Sequence, residues 1–170
     1  MKKLALLLIS CVISMTALAQ NNTISAYTND NSGSATNIRC APKGEVAMTI
    51  DSDNQYMLLL SNPQDGWWQV EDIYDPTDED NVISLKGSKT GKYFIHYSVV
   101  GFMTRNYGSN YSLREKPSKK SKAVYTFFGD TFVHPIEVKG DWVKVKTGDM
   151  KHTGWIESVM ICDNPLTTCP

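Results

Sequence analysis

Asn37-Ile38-Arg39-Cys40-Ala41-Pro42 is echoed 75 positions later by Ser112-Leu113-Arg114-Glu115-Lys116-Pro117. An internal repeat constrains a fold more than any composition figure, because each unit has to solve the same packing problem. The same offset carries Met48 onto Ala123, Ile50 onto Tyr125 and Leu58 onto Val133. It then lays Asp65-Gly66-Trp67-Trp68-Gln69-Val70 on Gly140-Asp141-Trp142-Val143-Lys144-Val145. Further on the offset shortens to 61, with Tyr93-Phe94-Ile95-His96-Tyr97 against Gly154-Trp155-Ile156-Glu157-Ser158. The first unit therefore holds about fourteen extra residues between Glu71 and Lys92. That stretch carries Asp72, Asp75, Asp78, Glu79 and Asp80 around Pro76, the composition of a solvated loop between strands.

The units read as β. Ala123 to Phe128 is aromatic and β-branched, and Gly129-Asp130 follows as a turn. Thr131 to Val138 is apolar but contains Pro135, which predicts an edge or bulged strand. Trp142 to Lys146 alternates, placing Val143 and Val145 on one face and Trp142, Lys144 and Lys146 on the other. After residue 19 no stretch of ten residues has a clean helical period. Short strands with turn signals between them predict small barrels.

Met1-Lys2-Lys3, the apolar run that follows and Ala17-Leu18-Ala19 form a secretory signal peptide over residues 1–19. The mature chain is then expected to be periplasmic or secreted, with no transmembrane segment. Leu8-Ile9-Ser10-Cys11 offers a competing lipoprotein site at Cys11, but cleavage there would leave apolar residues on the mature chain. Without the leader the net charge is −3, divided as −5 over residues 20–105 and +2 over residues 106–170. A chain so close to neutral argues against nucleic acid as a partner. Three cysteines remain, Cys40, Cys162 and Cys169, an odd number for an oxidising compartment. Cys162 and Cys169 are the candidate disulfide, which would leave Cys40 a free, buried thiol; the pairing stays open.

Leu113-Arg114, Pro117-Ser118, Gly129-Asp130, Gly140-Asp141-Trp142-Val143-Lys144-Val145 and Gly154-Trp155-Ile156 together resemble the bacterial SH3 domain over residues 110–161. Residues 36–103 resemble a divergent copy, with Tyr93-Phe94-Ile95 in place of Gly-Trp-Ile and the acidic insertion added. The resemblance implies an all-β chain: two small SH3-like five-stranded barrels in tandem, followed by a tail at 162–170. It also implies an exported binding module for cell-wall (peptidoglycan) peptide or another extended ligand. The alternative is a module that binds or inhibits another envelope protein.

Candidate ligand residues follow from the alternation and the resemblance. Trp68 shares a face with Val70 and is expected in the core, as is Trp155. Trp67 and Trp142 lie on the polar face, where an apolar ring needs a partner. With them are grouped Lys144, Tyr125, and Tyr107 and Tyr111, the last two read as a linker between the repeats. No His lies at metal-site spacing from another His or a Cys, so no metal, cofactor or catalytic residue is expected. The acidic run also lacks the glycine and terminal glutamate of a helix-flanked calcium loop.

Overall fold

The computed structural model describes residues 23–52, 54–105, 107–108 and 110–166. The leader, Cys11 and Cys169 lie outside them. Fourteen strands and two 3-10 turns account for the regular structure of the described residues. The first half contains β1 (Ile24–Thr28), β2 (Thr36–Arg39), β3 (Val46–Ile50), β4 (Met57–Gln64), β5 (Trp67–Asp75), β6 (Asp78–Val82) and β7 (Phe94–His96). A 3-10 turn, Tyr97–Val99, leads into β8 (Val100–Thr104). The second half contains β9 (Asn110–Arg114), β10 (Ala123–Phe128), β11 (Phe132–Lys139), β12 (Trp142–Thr147) and β13 (Thr153–Glu157). A matching turn, Ser158–Met160, leads into β14 (Ile161–Cys162). The chain is all-β, as the pattern predicts.

Strand order repeats with the sequence. The hydrogen-bonded path runs β10-β9-β13-β12-β11-β8 and then β1-β4-β5-β7-β2-β3, so each half presents the same six-strand succession in mirrored order. Strands β1 and β8 pair antiparallel, Tyr27 against Gly101 and Thr28 against Val100, and join the halves. β1 precedes the repeat read from the sequence, and β8 falls at the end of residues 36–103 yet pairs with β11 of the second half. On its other side each pairs with the equivalent strand of the half it joins, β1 with β4 in the first and β8 with β11 in the second.

Registers test the offsets residue by residue. Arg39 pairs with Phe94 as Arg114 pairs with Trp155. Trp67, Trp68 and Gln69 face His96, Ile95 and Phe94, while Trp142, Val143 and Lys144 face Glu157, Ile156 and Trp155. Offsets of 75 and 61 therefore hold on these strands. They fail on the hairpin after the arginine. Cys40 N–H bonds Glu45 carbonyl, and Glu115 N–H bonds Lys122 carbonyl, so the second turn is two residues longer. Ile38 pairs with Met48 and Leu113 with Tyr125, which puts Met48 on Tyr125 rather than Ala123, and Ile50 on Phe127 rather than Tyr125.

The acidic insertion is also more ordered than a solvated loop. β5 continues to Asp75 and turns into β6, with Asp75 paired to Asp78. The chain then returns across β3. Ile83 and Leu85 pack on the core, and Gly87, at φ +91°, sits against the Ala47 carbonyl so closely that a Cβ would lie 2.1 Å from its oxygen. Pro135 falls at a register shift in β11, a bulge as predicted, but β11 is flanked by both β12 and β8 and is no edge strand.

One apolar cluster runs through both halves, from Ile38, Leu60 and Trp68 to Phe102, Val133, Val143 and Ile156. Barrels of this size bury little apolar surface alone, and sharing a core offsets that. Trp68 is fully buried, and its indole N–H donates to the Pro135 carbonyl at 2.9 Å, a bond from one half to the other.

Candidate functional site

Alternation along β5 and β12 sends Trp67 and Trp142 to the face opposite the core, at equivalent places. The two sites share a frame. The Arg39 guanidinium donates to the Gly44 carbonyl at 2.8 Å, and the Arg114 guanidinium donates to the Ser121 carbonyl at 2.7 Å. Tyr97 N–H bonds the Gly66 carbonyl at 2.9 Å, and Ser158 N–H bonds the Asp141 carbonyl at 2.8 Å. Arginine, tryptophan strand and 3-10 turn are thus placed alike in both halves.

What stands over the tryptophan differs. In the first half His96 lies edge-on to Trp67 with ring centres 5.1 Å apart, and the Arg39 guanidinium carbon is 6.0 Å from the Trp67 ring centre. Tyr97 packs on His96 at 4.6 Å. Trp67 is left 8% exposed, so the expectation that it faces a ligand is corrected: it is buried under His96 and Arg39. The ring contacts continue from Tyr97 to His134, from His134 to Phe132 and from Phe132 to Tyr27. The first groove is thereby filled by the junction between the halves.

In the second half Glu157 and Ser158 stand where His96 and Tyr97 stand in the first. Among the described residues no ring stacks on Trp142, which is only partly buried. A depression of about 160 Å³ opens there between β9, β12, β13 and the 3-10 turn, lined by Asn110, Tyr111, Ser112, Arg114, Trp142, Ile156, Glu157 and Met160. Gly154 lets β13 approach β9 closely, since a Cβ there would lie 2.7 Å from Leu113 Cβ. Glu157 accepts an ion pair from Lys119 at 3.0 Å, with the lysine side chain 76% exposed and the glutamate 31%.

The remaining predicted residues disperse. Tyr111 belongs to β9, not to a linker; it is buried, and its hydroxyl accepts from the Tyr107 N–H at 2.8 Å. Tyr107 is 52% exposed beside that bond. Tyr125 stacks on His152 at 3.7 Å, away from the groove lining. Lys144 pairs with Glu137 at 3.7 Å and stands 5.9 Å over Trp155, which is itself buried. Of the candidates, the structure brings only Trp142 and Tyr111 into the groove. It adds Glu157, Arg114 and Asn110, which the alternation rule overlooks because it weighs rings before polar neighbours. Exposed Phe128, paired to Asn110 across the β9–β10 ladder, is a further apolar group near the rim.

Two histidines in the junction are held below the ordinary histidine range. Burial is the main cause for each. His134 adds the charge of Lys146, opposed by its bonds to the Val100 and Tyr97 carbonyls at 2.8 and 3.1 Å. His96 adds the charges of His134 and Lys43. Neutral imidazoles fit this site. Cys40 is a free thiol, half-buried rather than buried, with Sγ 4.0 Å from the Gly87 carbonyl oxygen. Cys162 is disulfide-bonded, and its partner lies outside the described residues. Among the described residues no group of three or more His, Cys, Asp or Glu side chains is placed to hold a metal ion. No helix among them is long and apolar enough to cross a membrane.

Comparison with known proteins agrees with the motif reading of the second half. Residues 109–161 match the bacterial SH3 domain family. Among solved structures, NlpC2 from Trichomonas vaginalis is similar at 10% identity over 84% of this chain and 48% of its own, with a TM-score of 0.31. NlpC1 from the same organism is similar at 10% identity over 91% of this chain and 50% of its own, with a TM-score of 0.30. The chain spans about half the length of each. No curated protein matches it.

Proposed function

We propose that the chain is an exported, non-catalytic binding protein that holds an extended peptide of the bacterial cell wall in the Trp142 groove. The observation that carries this reading is the partly exposed indole of Trp142 lining a depression of the bacterial SH3 domain, flanked by hydrogen-bonding side chains. Aromatic faces with polar neighbours suit extended peptides, whose backbone offers donors and acceptors along its length. In this reading residues 36–103 are a second, divergent SH3-like copy whose own groove is filled, so it supports the binding half instead of binding. Signal-peptide cleavage after Ala19 delivers the protein to the periplasm or beyond.

A pull-down on insoluble peptidoglycan tests the reading. The mature chain should sediment with the polymer, and Trp142→Ala should stay in solution. Equal sedimentation of both, or of neither, overturns it. A second reading, a module for another envelope protein, is favoured by β10. This strand ends the sheet and exposes Val124 and Phe128, the latter 69% exposed. Failure on peptidoglycan together with stoichiometric capture of one envelope protein, lost in Phe128→Ser, would support it.

A further inference from the structure

Comparison of the two grooves separates shared scaffold from what is particular to one. The arginine bound to a turn carbonyl recurs, as do the tryptophan and the backbone bond of the 3-10 turn. These features are scaffold, since they persist where the groove is filled. The new feature in the open groove is a carboxylate, Glu157, directly across the ladder from Trp142. Opposed residues on paired strands hold their Cβ atoms about 5 Å apart, close enough for both side chains to meet one ligand group. A carboxylate beside an indole is a receptor for an alkylammonium: the first neutralises the charge, the second offers its negative ring face.

The chain already places an ammonium on this carboxylate. Lys119 Nζ lies 3.0 Å from Glu157 Oε1, from a side chain that is mostly in water. An ion pair so exposed is weak and readily exchanged. The cation that lines the groove, Arg114, is turned to the Ser121 carbonyl, as Arg39 is turned to Gly44.

The geometry points to Glu157 as the specificity-determining residue of this groove: it receives a primary ammonium group on the bound peptide, with Lys119 as the internal group that the ligand displaces. This rests on the groove being a peptide site. The ligand class it names is a peptide bearing a diamino acid with a free side-chain amine.

Two tetrapeptides of the cell-wall type test it, both acetylated at the N-terminus and carrying lysine at the third position, one with a free Nε and one Nε-acetylated. Binding is measured by calorimetry to the wild-type mature chain, Glu157→Gln and Lys119→Ala, each checked for an unchanged circular dichroism spectrum. The free amine should bind the wild type about tenfold more tightly than the acetylated peptide, as expected for one charge-assisted contact. Glu157→Gln should erase the preference while retaining the acetylated peptide. Lys119→Ala should tighten only the free-amine peptide, by about two- to threefold. Equal affinity for the two peptides, or a preference that survives in Glu157→Gln, overturns the role of Glu157 while leaving the peptide groove standing. No binding of either peptide to the wild type overturns both.

Discussion

Trp67 and Trp142 occupy the same position in two copies of one strand arrangement, yet one is covered and the other open. The difference lies at the last residue of the paired strand and the one after it: His96-Tyr97 in the first half, where His96 covers Trp67 together with Arg39 and Tyr97 packs on His96, and Glu157-Ser158 in the second. Backbone geometry is alike in both, so side-chain size and charge at two positions decide the outcome. Rings there turn the groove into an intramolecular contact running on to His134, Phe132 and Tyr27. A carboxylate and a hydroxyl leave it to solvent. Two side chains thus decide whether the tryptophan of this arrangement is covered within the chain or left partly exposed.

The comparison breaks most visibly at the junction. Trp68→Ala should lower stability by about 3–5 kcal/mol, because it empties a fully buried indole site and leaves the Pro135 carbonyl without its donor. Val143→Ala, at the equivalent place in the second half, should cost less, since the removed side chain is smaller and makes no bond across the halves. Urea denaturation of the mature protein measures both. Equal losses would mean that Trp68 does not bridge.

Next in size is the pair of outward tryptophans. Trp67→Ala should cost about 3 kcal/mol and Trp142→Ala about 1 kcal/mol, in keeping with their unequal burial. Equal costs would erase the distinction between a filled and an open groove.

Acid should act on the same junction. His134 and His96 are held neutral in the fold, their affinity for protons below that of the unfolded chain. As pH falls through the ordinary histidine range near 6.5, the unfolded state takes up protons that the folded state refuses, so stability falls with pH there. Asp75 and Asp149, kept low chiefly by hydrogen bonds from Thr77 and Thr147, work in the same direction but only near pH 4 and below. The urea midpoint should therefore decline from pH 7 to 5.5, and His134→Gln should flatten the decline. An unchanged slope in that variant would remove His134 from the account.

The smallest effect belongs to the open groove. Lys119→Ala should change stability by less than about 0.5 kcal/mol, since its partner Glu157 and the lysine itself meet solvent. A larger loss would make that pair a structural clamp.

Much of this frame is legible in the sequence. Offsets of 75 and 61 predict the pairings of Arg39, Arg114, Trp67 and Trp142, because strand alternation carries a residue's face with its position. The two-residue difference in the β2–β3 and β9–β10 turns is not legible, since the matched Pro42 and Pro117 precede it and apolar residues on either side tolerate both alignments. Strand β1 and the crossing of β8 to the second half escape for another reason: they are set by pairing between the halves, a long-range fact that no local pattern encodes. The fate of Trp67 is hidden in the same way. His96 reads as an isolated histidine until the fold lays it on the indole. The acidic stretch misleads because charge marks it as loop, while Ile83, Leu85 and Gly87 bring it back onto β3.

The unequal grooves are tested most directly by following tryptophan emission while a lysine-containing cell-wall tetrapeptide is added to the wild type, Trp67→Phe and Trp142→Phe. The emission change should persist in Trp67→Phe and vanish in Trp142→Phe. A change that vanishes in Trp67→Phe and persists in Trp142→Phe would contradict the assignment of the open groove to the second half.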